Sequence, residues 1–269
     1  MRAIVHTSEA TPDATQRTLA HEPTGCERAC RVAEPSKRVT AIVPVFNEQK
    51  GVATVLETLL CCPAIDQIVC VNDGSTDDSL HILEQFGDRI VLIDLPSNQG
   101  KGHALAAGLR RADGEVVVFF DADLVNLDHD HMHVLLQPVQ EGDARAVLGI
   151  PAGDTVFSTV QLVSPGFAEL IGPKLTGQRA YLRRDLLPHL AGMEPTRFGV
   201  EVFLNGLFTE EETRVVTLRG LIGLSKQAKH GKAAATKEYA AAASEVAAEI
   251  ARASLSRVAG WRGVTHGRS

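Results

Sequence analysis

Four short apolar runs alternate with helical patterns between residues 39 and 120, and this alternation constrains the fold more than any other feature of the sequence. Apolar, β-branched runs that are separated by amphipathic segments and short connectors are typical of a parallel sheet covered by helices on both faces. We therefore predict an α/β fold with a Rossmann-like, mostly parallel sheet. The predicted strands are 39–45, 67–71, 89–94 and 115–120, and the predicted helices are 48–61, 77–86 and 102–112.

The rest of the chain divides into a second part of this domain and two appendages. A helix over 128–141 and a strand over 144–150 continue the domain, which we place at residues 37–228. Residues 1–36 lack an apolar period and are predicted to form a flexible tail. Residues 229–269 are basic and rich in alanine, which favours a helical extension. Its thin apolar stripe suits packing against the body, a homodimer contact or a peripheral membrane contact, and consists of Tyr239, Ala243, Val246 and Ile250.

Composition and charge exclude several classes of protein. No apolar stretch approaches the roughly 20 residues of a membrane span, and we expect no secretory signal because the N-terminus lacks an apolar core. Five cysteines, an odd number, argue against a disulfide framework. Residues 37–225 hold 15 Lys/Arg against 25 Asp/Glu, so no general binding of nucleic acid is expected. These features predict a soluble, cytoplasmic protein.

Polar and glycine-containing segments follow all four predicted strands. Parallel strands end at the same edge of a sheet, and ligands bind beyond those carboxyl ends. We therefore expect the four segments to form one site. They read PVFNE from residue 44, NDGSTD from residue 72, NQGKG from residue 98 and DAD from residue 121.

Asp121 and Asp123 stand two residues apart, directly after the apolar run VVVFF. Paired carboxylates at a strand end suit a hard divalent cation that also binds phosphate oxygens, and such an ion neutralises a diphosphate leaving group. The alternative is that both side chains cap the turn and the helix that follows. Their position at the strand end favours the metal site.

Three further positions are candidates for ligand binding, and two of them, Asp73 and Glu48, also have a structural interpretation. Asp73 could accept hydrogen bonds from a nucleobase or ribose, or could belong to a turn in which Ser75 or Thr76 caps the next helix. Lys101, flanked by glycines before a helix N-terminus, is placed where phosphate would bind. Glu48 either contacts the ligand or stabilises the first turn of its helix through the helix dipole.

Histidines and cysteines give no metal-site pattern of their own. Three histidines alternate at positions 129, 131 and 133 of a predicted helix, so they do not share one face, and we expect them to be solvated. The cysteines lack zinc-site spacing, and Cys70 is expected in the core.

The segments VTAIVPVFNE, VNDGSTDDS, NQGKGHALAAGL and VVFFDADL, in this order, resemble the family 2 glycosyltransferases. The resemblance is continuous over residues 39–125 and looser through GQRA at 177 and GVEV at 199. Relatives of this family include dolichyl-phosphate mannose synthase and the bacterial glucosyl-3-phosphoglycerate synthases. The resemblance implies a GT-A fold, transfer of a hexose from a nucleotide-diphospho-sugar such as a UDP- or GDP-sugar, and a Mg²⁺ or Mn²⁺ ion.

The resemblance also implies a role for individual residues. Asp123 would be the main metal ligand, and Asp121 would assist it and contact the ribose or the sugar. Glu201 would lie in the acceptor pocket, where it could orient a hydroxyl or act as a base. The donor-binding residues that the resemblance implies, besides Asp121, are Pro44, Phe46, Glu48, Asp73, Lys101, Gly102, Ala122, Gly177, Gln178 and Arg179, of which the last three would line the donor sugar or the acceptor side.

Two departures from the family pattern bear on the metal site and on the membrane. Many relatives carry a metal-binding histidine after a late strand, and the nearest candidate here is His230. Membrane-bound relatives have C-terminal spanning helices, whereas none is predicted in this sequence.

The acceptor and the stereochemistry stay open at this point. Family 2 enzymes invert, whereas the glucosyl-3-phosphoglycerate synthases, which share the GKG, DADL and GVE elements, retain. The acceptor could be a small molecule, a polyprenyl phosphate or a glycan. Two rival classes share the fold: a sugar nucleotidyltransferase, which would need an Arg- and Gly-rich loop after the first strand, and a catalytically silent binding or scaffold protein, which would lack the aspartate pair.

Overall fold

The structure is a computed structural model that describes residues 37–152 and 175–223. The tail predicted for residues 1–36, the extension predicted for residues 229–269 with its apolar stripe, and His230 lie outside the described residues.

Strands and helices alternate along most of the described chain, and both are numbered here in chain order. The strands are β1 Val39–Val45, β2 Gln67–Asn72, β3 Val91–Asp94, β4 Val116–Phe119, β5 Leu124–Val125, β6 Ala146–Pro151, β7 Arg179–Leu182, β8 Thr213–Leu218 and β9 Ile222–Gly223. The α-helices are α1 Val52–Leu60, α2 Ser79–Glu84, α3 Lys101–Arg111, α4 His129–Glu141, α5 Arg183–Leu186, α6 Leu190–Met193 and α7 Val200–Asn205. Short 3-10 helices cover Gly87–Arg89, Leu187–His189 and Glu194–Gly199.

Seven of the described strands form one sheet in the order β3-β2-β1-β4-β7-β6-β8. The strands β1 to β4 run parallel to one another, β7 is antiparallel to both β4 and β6, and β6 is parallel to β8. Within this sheet β7 therefore opposes six strands that share one direction. The structure confirms the predicted α/β fold with a mostly parallel sheet. The short strands β5 and β9 pair separately.

The sheet is covered on both faces, as its sequence predicts. Ala41 and Val43 of β1 pack into one apolar cluster with the buried faces of α1 and α4, whereas Ile42 packs into a second cluster with α3, α6 and α7. This division follows from the alternation of side chains along a strand. Because both faces are buried, the strand sequences are continuously apolar rather than alternating.

One local prediction in the second loop is wrong. The helix predicted from residue 77 begins at Ser79, and its N-cap residue, Asp78, makes no capping hydrogen bond through its side chain. Neither Ser75 nor Thr76 caps this helix. Their side chains bind Asn47 in the preceding loop instead, at 3.0 Å and 3.3 Å.

The prediction that all three histidines of α4 are solvated is also wrong. His129 and His133 are exposed, but His131 is buried and only 5% exposed. The ring of His131 forms a capping box with Asp128 at the start of α4. Positions three and four residues apart share a helix face, so His131 lies on the same face as the buried Leu135. Alternation separates the three rings but does not say which of them faces the core.

Candidate active site

The loops that follow β1 and β2 are joined around Asn47, which has a φ of 56°. Its N–H donates to Oγ of Ser75 at 3.0 Å, and its Oδ1 accepts from the N–H of Thr76 at 2.8 Å. Asparagine tolerates this left-handed conformation better than most residues. The fixed turn leaves Pro44 half-buried and presents Phe46, which is 39% exposed.

Glu48 lies in the same turn, ahead of α1. Its N–H donates to Oγ of Ser79 at 2.8 Å, so its backbone is tied to the start of α2. Glu48 lies ahead of the first turn rather than in it, because α1 begins at Val52, and its carbonyl oxygen accepts from the N–H groups of Gly51 and Val52. The ligand contact of Glu48 stays a prediction.

Asp73 ties the end of β2 to the loop that leads into α3. Its Oδ1 accepts from the N–H of Gln99 and its Oδ2 accepts from the N–H of Gly100, both at 2.8 Å. The residue is 2% exposed. The adjacent Gly74 has a φ of 65°, and a Cβ there would lie 2.5 Å from the carbonyl carbon of Ser97. Asp73 thus sets the position of this loop, and its predicted contact with a base stays a prediction.

Lys101, the first residue of α3, bridges two carboxylates. Its Nζ lies 2.7 Å from Oδ1 of Asp121, just beyond β4, and 2.7 Å from Oε1 of Glu201 on α7. Burial acts to lower the pKa of this ammonium, but the two carboxylates outweigh burial and raise the pKa of Lys101 above its ordinary value. Lys101 is therefore charged at neutral pH. It draws together two predicted catalytic residues that are 80 positions apart in the sequence.

Asp121 is held from its other side by Gln178. The Nε2 of Gln178 donates to Oδ2 of Asp121 at 2.9 Å, and its Oε1 accepts from Oγ1 of Thr176 at 2.8 Å. The single hydroxyl hydrogen of Thr176 is shared between this Oε1 and the carbonyl oxygen of Gly149 in β6, which lies 2.5 Å from Oγ1. The residue between Thr176 and Gln178 must be a glycine, because a Cβ on Gly177 would lie 2.2 Å from Oδ2 of Asp121. Sequence reasoning found Gly177 and Gln178 but missed Thr176.

Three other predicted donor-binding residues occupy tightly packed positions. A Cβ on Gly102 would lie 2.2 Å from the carbonyl oxygen of Met193, so this glycine permits close packing of α3 on α6. Ala122 is 2% exposed. Arg179 is 1% exposed, and its guanidinium donates to the carbonyl oxygen of Thr176 at 2.6 Å and to Oδ1 of Asn205 at 2.8 Å. Contacts of these residues with the donor stay a prediction.

Arg197 was not predicted and adjoins the site. Its φ of 44° and ψ of −119° lie outside the helical region, in the 3-10 segment just before α7. Its guanidinium donates to Oδ1 of Asn98 at 2.9 Å. Gly100 has a φ of 98°, and a Cβ there would lie 2.7 Å from Cγ of Arg197. A non-glycine residue held in this conformation costs about 1–3 kcal/mol, and such strain is concentrated at functional sites.

Asp121 and Asp123 supply the carboxylates of the candidate metal site. Both are partly exposed, and a Cβ on Gly223 of β9 would lie 3.9 Å from Oδ2 of Asp123. Among the described residues, no cluster of three or more His, Cys, Asp or Glu side chains could hold a metal ion. Mg²⁺ is commonly bound by one or two carboxylates together with substrate phosphates and water. The donor set therefore fits an ion that shares its coordination with a diphosphate.

The profile of the family described as "Glycosyl transferase family 2" matches residues 40–193, more than half of the chain. The chain belongs to glycosyl transferase family 2. The match includes the strands β1 to β4 and the residues Asp73, Lys101, Asp121 and Asp123. Membership of this family assigns the chain to the glycosyltransferases, and the two rival classes are not supported.

Two family 2 relatives are similar to the chain over part of its length. The protein named "Uncharacterized glycosyltransferase YaiP" from Escherichia coli (strain K12) is 39% identical over 127 residues, which are 44% of this chain and 31% of that protein. The undecaprenyl-phosphate 4-deoxy-4-formamido-L-arabinose transferase of Serratia proteamaculans (strain 568) is 38% identical over 101 residues, which are 35% of this chain and 31% of that protein. The matches thus cover about a third of these relatives' length.

The fold is similar to that of glucosyl-3-phosphoglycerate synthase from Mycobacterium tuberculosis. The structure of that enzyme in complex with Mn²⁺, UDP and glucosyl-3-phosphoglycerate superposes with a TM-score of 0.61 and 20% identity, over 81% of this chain and 80% of that chain. It has also been crystallised with Mg²⁺ and UDP. The likeness confirms the predicted GT-A-like fold. None of the helices within the two described ranges has the length and apolar character needed to span a bilayer.

Proposed function

We propose that the chain transfers a hexose from a nucleoside-diphosphate sugar to a nucleophilic acceptor, with a Mg²⁺ or Mn²⁺ ion at Asp123 and Asp121. The observation that carries this proposal is the arrangement of Asp121. This carboxylate lies just beyond β4, is held through both oxygens by Lys101 and Gln178, and precedes Asp123 by two residues. The named ligands of the structural neighbour, UDP with Mn²⁺ or Mg²⁺, support the same donor chemistry.

The donor would occupy the edge of the sheet where β1, β2 and β4 end. Phe46 offers an exposed aromatic ring beside that edge, which suits the face of a nucleobase. The hydrogen bonds of Asn47 with Thr76 and of Asp73 with Gln99 hold the surrounding loops in place. Little further ordering of these loops would therefore be required when the donor binds. The sugar would lie toward Asp121 and Gly177.

The ion would neutralise the charge that develops on the departing diphosphate. Asp123 would be its principal ligand, as the family resemblance implies, and Asp121, whose oxygens accept hydrogen bonds from Lys101 and Gln178, would assist it. Lys101 would hold Asp121 in place. His230, which lies outside the described residues, stays a candidate for a further ligand.

Glu201 would act on the acceptor. Lys101 binds Glu201 through Oε1, so Oε2 is the oxygen that would accept a proton from an acceptor hydroxyl. A phosphate acceptor is already anionic and would need no base. The Serratia relative is named for undecaprenyl phosphate, and the structural neighbour was crystallised with phosphoglyceric acid. Both molecules carry phosphate, which favours an acceptor of this kind over a neutral glycan.

Thermal unfolding with UDP, GDP, dTDP and CDP, each with and without Mn²⁺, tests this proposal. One nucleotide should stabilise the wild type only when Mn²⁺ is present, by about 2.7 kcal/mol at a concentration 100 times its Kd. Asp123→Ala should abolish this stabilisation. Asp143→Ala removes an exposed carboxylate between α4 and β6, away from the site, and should leave it unchanged. The proposal would be contradicted if none of the four nucleotides stabilised the wild type. It would also be contradicted if the Mn²⁺-dependent stabilisation persisted in Asp123→Ala.

A further inference from the structure

The buried histidine of α4 makes hydrogen bonds through both ring nitrogens. The Nδ1 of His131 lies 3.2 Å from the backbone nitrogen and 2.8 Å from Oδ1 of Asp128, and its Nε2 lies 2.8 Å from the carbonyl oxygen of Arg219. A carbonyl oxygen can only accept, so Nε2 must carry the hydrogen of this second bond. His131 therefore joins the start of α4 to a residue 88 positions later in the chain.

Arg219 lies in the turn between β8 and β9, and within the part of the chain that the structure describes, the side chains of His131 and Asn126 both bond to this turn. The next residue, Gly220, has a φ of 82°. Its carbonyl oxygen accepts from Nδ2 of Asn126 at 3.4 Å. The turn is thus fastened to α4 by His131 and to the segment before α4 by Asn126.

The β8–β9 turn is followed by β9, which lies beside the candidate metal site. β9 pairs with β5 in antiparallel register, with Leu124 opposite Gly223 and Val125 opposite Ile222. β5 begins at the residue that follows Asp123, and Gly223 lies beside the Asp123 carboxylate. Two strands of two residues each are not stable by themselves. The pairing that flanks Asp123 therefore needs support from outside the two strands.

We infer that His131 is a positioning residue for Asp123, acting through the β8–β9 turn and the pairing of β9 with β5. The inference rests on the proposed function, because the role of Asp123 as metal ligand is part of that proposal. If His131 only filled space in the core and capped the start of α4, a leucine would lower stability without consequence for the metal site. If it holds the turn, the loss of its Nε2–H should loosen β9 and weaken metal binding at Asp123.

The test compares His131→Leu, which keeps the approximate size of the side chain but removes both ring nitrogens, with His131→Gln, whose amide can still donate to the carbonyl oxygen of Arg219. His133→Leu is the matched control at an exposed position of the same helix. For each protein, the Mn²⁺ concentration that gives half of the thermal stabilisation is measured in the presence of whichever of UDP, GDP, dTDP and CDP stabilises the wild type. Amide hydrogen exchange of Ile222 and Gly223 is measured in parallel.

We expect His131→Leu to need at least about tenfold more Mn²⁺, as is typical when a group that supports a metal ligand is lost. Exchange at Ile222 and Gly223 should be faster in this variant. For His131→Gln, the Mn²⁺ concentration that gives half of the thermal stabilisation should lie within about threefold of the wild-type value, because the hydrogen bond to Arg219 is kept. His133→Leu should match the wild type in both measurements.

A folded His131→Leu protein with an unchanged Mn²⁺ concentration overturns the inference. If His131→Leu does not fold, Asn126→Gly decides, because it removes the hydrogen bond from Asn126 to the turn at an exposed position and suits the φ of 60° there. An unchanged Mn²⁺ concentration in Asn126→Gly then overturns the inference, and an increase supports it. A wild type that does not respond to Mn²⁺ overturns the proposed function together with the inference, so the two failures are distinguishable.

Discussion

The side-chain amide of Gln178 donates to Oδ2 of Asp121 at 2.9 Å, while the ammonium of Lys101 binds Oδ1 of the same carboxylate at 2.7 Å. Both bonds are made to a side chain that is only partly exposed, so the carboxylate is held in one orientation before any ligand binds. Preorganisation of this kind reduces the reorganisation that a charged transition state would otherwise require.

Thr176→Val should lower kcat/KM about tenfold, in the range seen when a supporting hydrogen bond is removed. Valine has nearly the shape of threonine but cannot bind Oε1 of Gln178, which would then be free to turn away from Asp121. Steady-state kinetics checks this. Thr58→Val is the control, because the hydroxyl of Thr58 bonds only within α1, to the carbonyl oxygen of Thr54. Equal kcat/KM in the two variants would contradict the role given to Thr176.

Gly177→Ala should lower kcat/KM about 100-fold, the loss expected when a catalytic group moves by about 1 Å. The added Cβ would lie 2.2 Å from Oδ2 of Asp121, so the carboxylate would have to move. Gly87→Ala is the contrasting control. It has a φ of 52° and open space around it, so alanine should cost about 1 kcal/mol of stability without affecting catalysis. Wild-type kinetics in Gly177→Ala would show that Asp121 tolerates displacement.

Much of this arrangement can be predicted from the sequence, for two physical reasons. Strands that are buried on both faces are continuously apolar, and β1 matches its predicted range, 39–45, at both ends. Parallel strands then place the segments that follow them at one edge, which brings Lys101 beside Asp121. The family resemblance implied a place for Glu201 in the acceptor pocket, but its contact with Lys101 was not predicted, because no local pattern relates residues 100 positions apart.

Residues whose role depends on distant backbone atoms could not be predicted. Thr176 acts through the carbonyl oxygen of Gly149, and His131 acts through that of Arg219, 88 positions away. A carbonyl oxygen is present at every residue, so the sequence holds no signal for these contacts. The conformation of Arg197 is equally hidden, since arginine normally avoids positive φ.

Asp73→Asn should lower the free energy of unfolding by about 1–3 kcal/mol, the cost of leaving a buried group without its partner. Both oxygens of Asp73 accept backbone N–H groups, from Gln99 and Gly100. An asparagine would turn its NH₂ toward one of these donors, and that hydrogen bond would be lost. Chemical denaturation measures the change. Asp143→Asn, at an exposed loop position, should change the free energy of unfolding by less than about 0.5 kcal/mol.

Lys101→Met should lower the free energy of unfolding by about 1.5–3 kcal/mol, the usual range for hydrogen bonds to charged groups. The pKa of Lys101 is raised by Asp121 and Glu201 in the folded protein. A raised folded-state pKa gives stability that is fully present below the ordinary lysine value of about 10.4 and is lost only as the pH rises through the folded value. The difference between wild type and variant should therefore be the same at pH 7 and pH 9.

Denaturation at these two pH values checks that expectation, and a difference that shrinks by pH 9 would contradict it. Lys101→Arg is the matched control, because it keeps a permanent positive charge beside Asp121 and Glu201. It should retain more of the stability than Lys101→Met at both pH values.

Arg197→Gly should be more stable than Arg197→Ala by about 1 kcal/mol, the reverse of the usual order of these two residues. Both variants lose the guanidinium that binds Asn98, so the comparison isolates the backbone at a φ of 44°. Thermal and chemical unfolding measure the difference. Ala53→Gly in α1 is the reference at an ordinary helical position, where glycine should cost about 1 kcal/mol. If Arg197→Ala is at least as stable as Arg197→Gly, no strain is stored there, and the unusual backbone four residues before Glu201 needs no functional explanation.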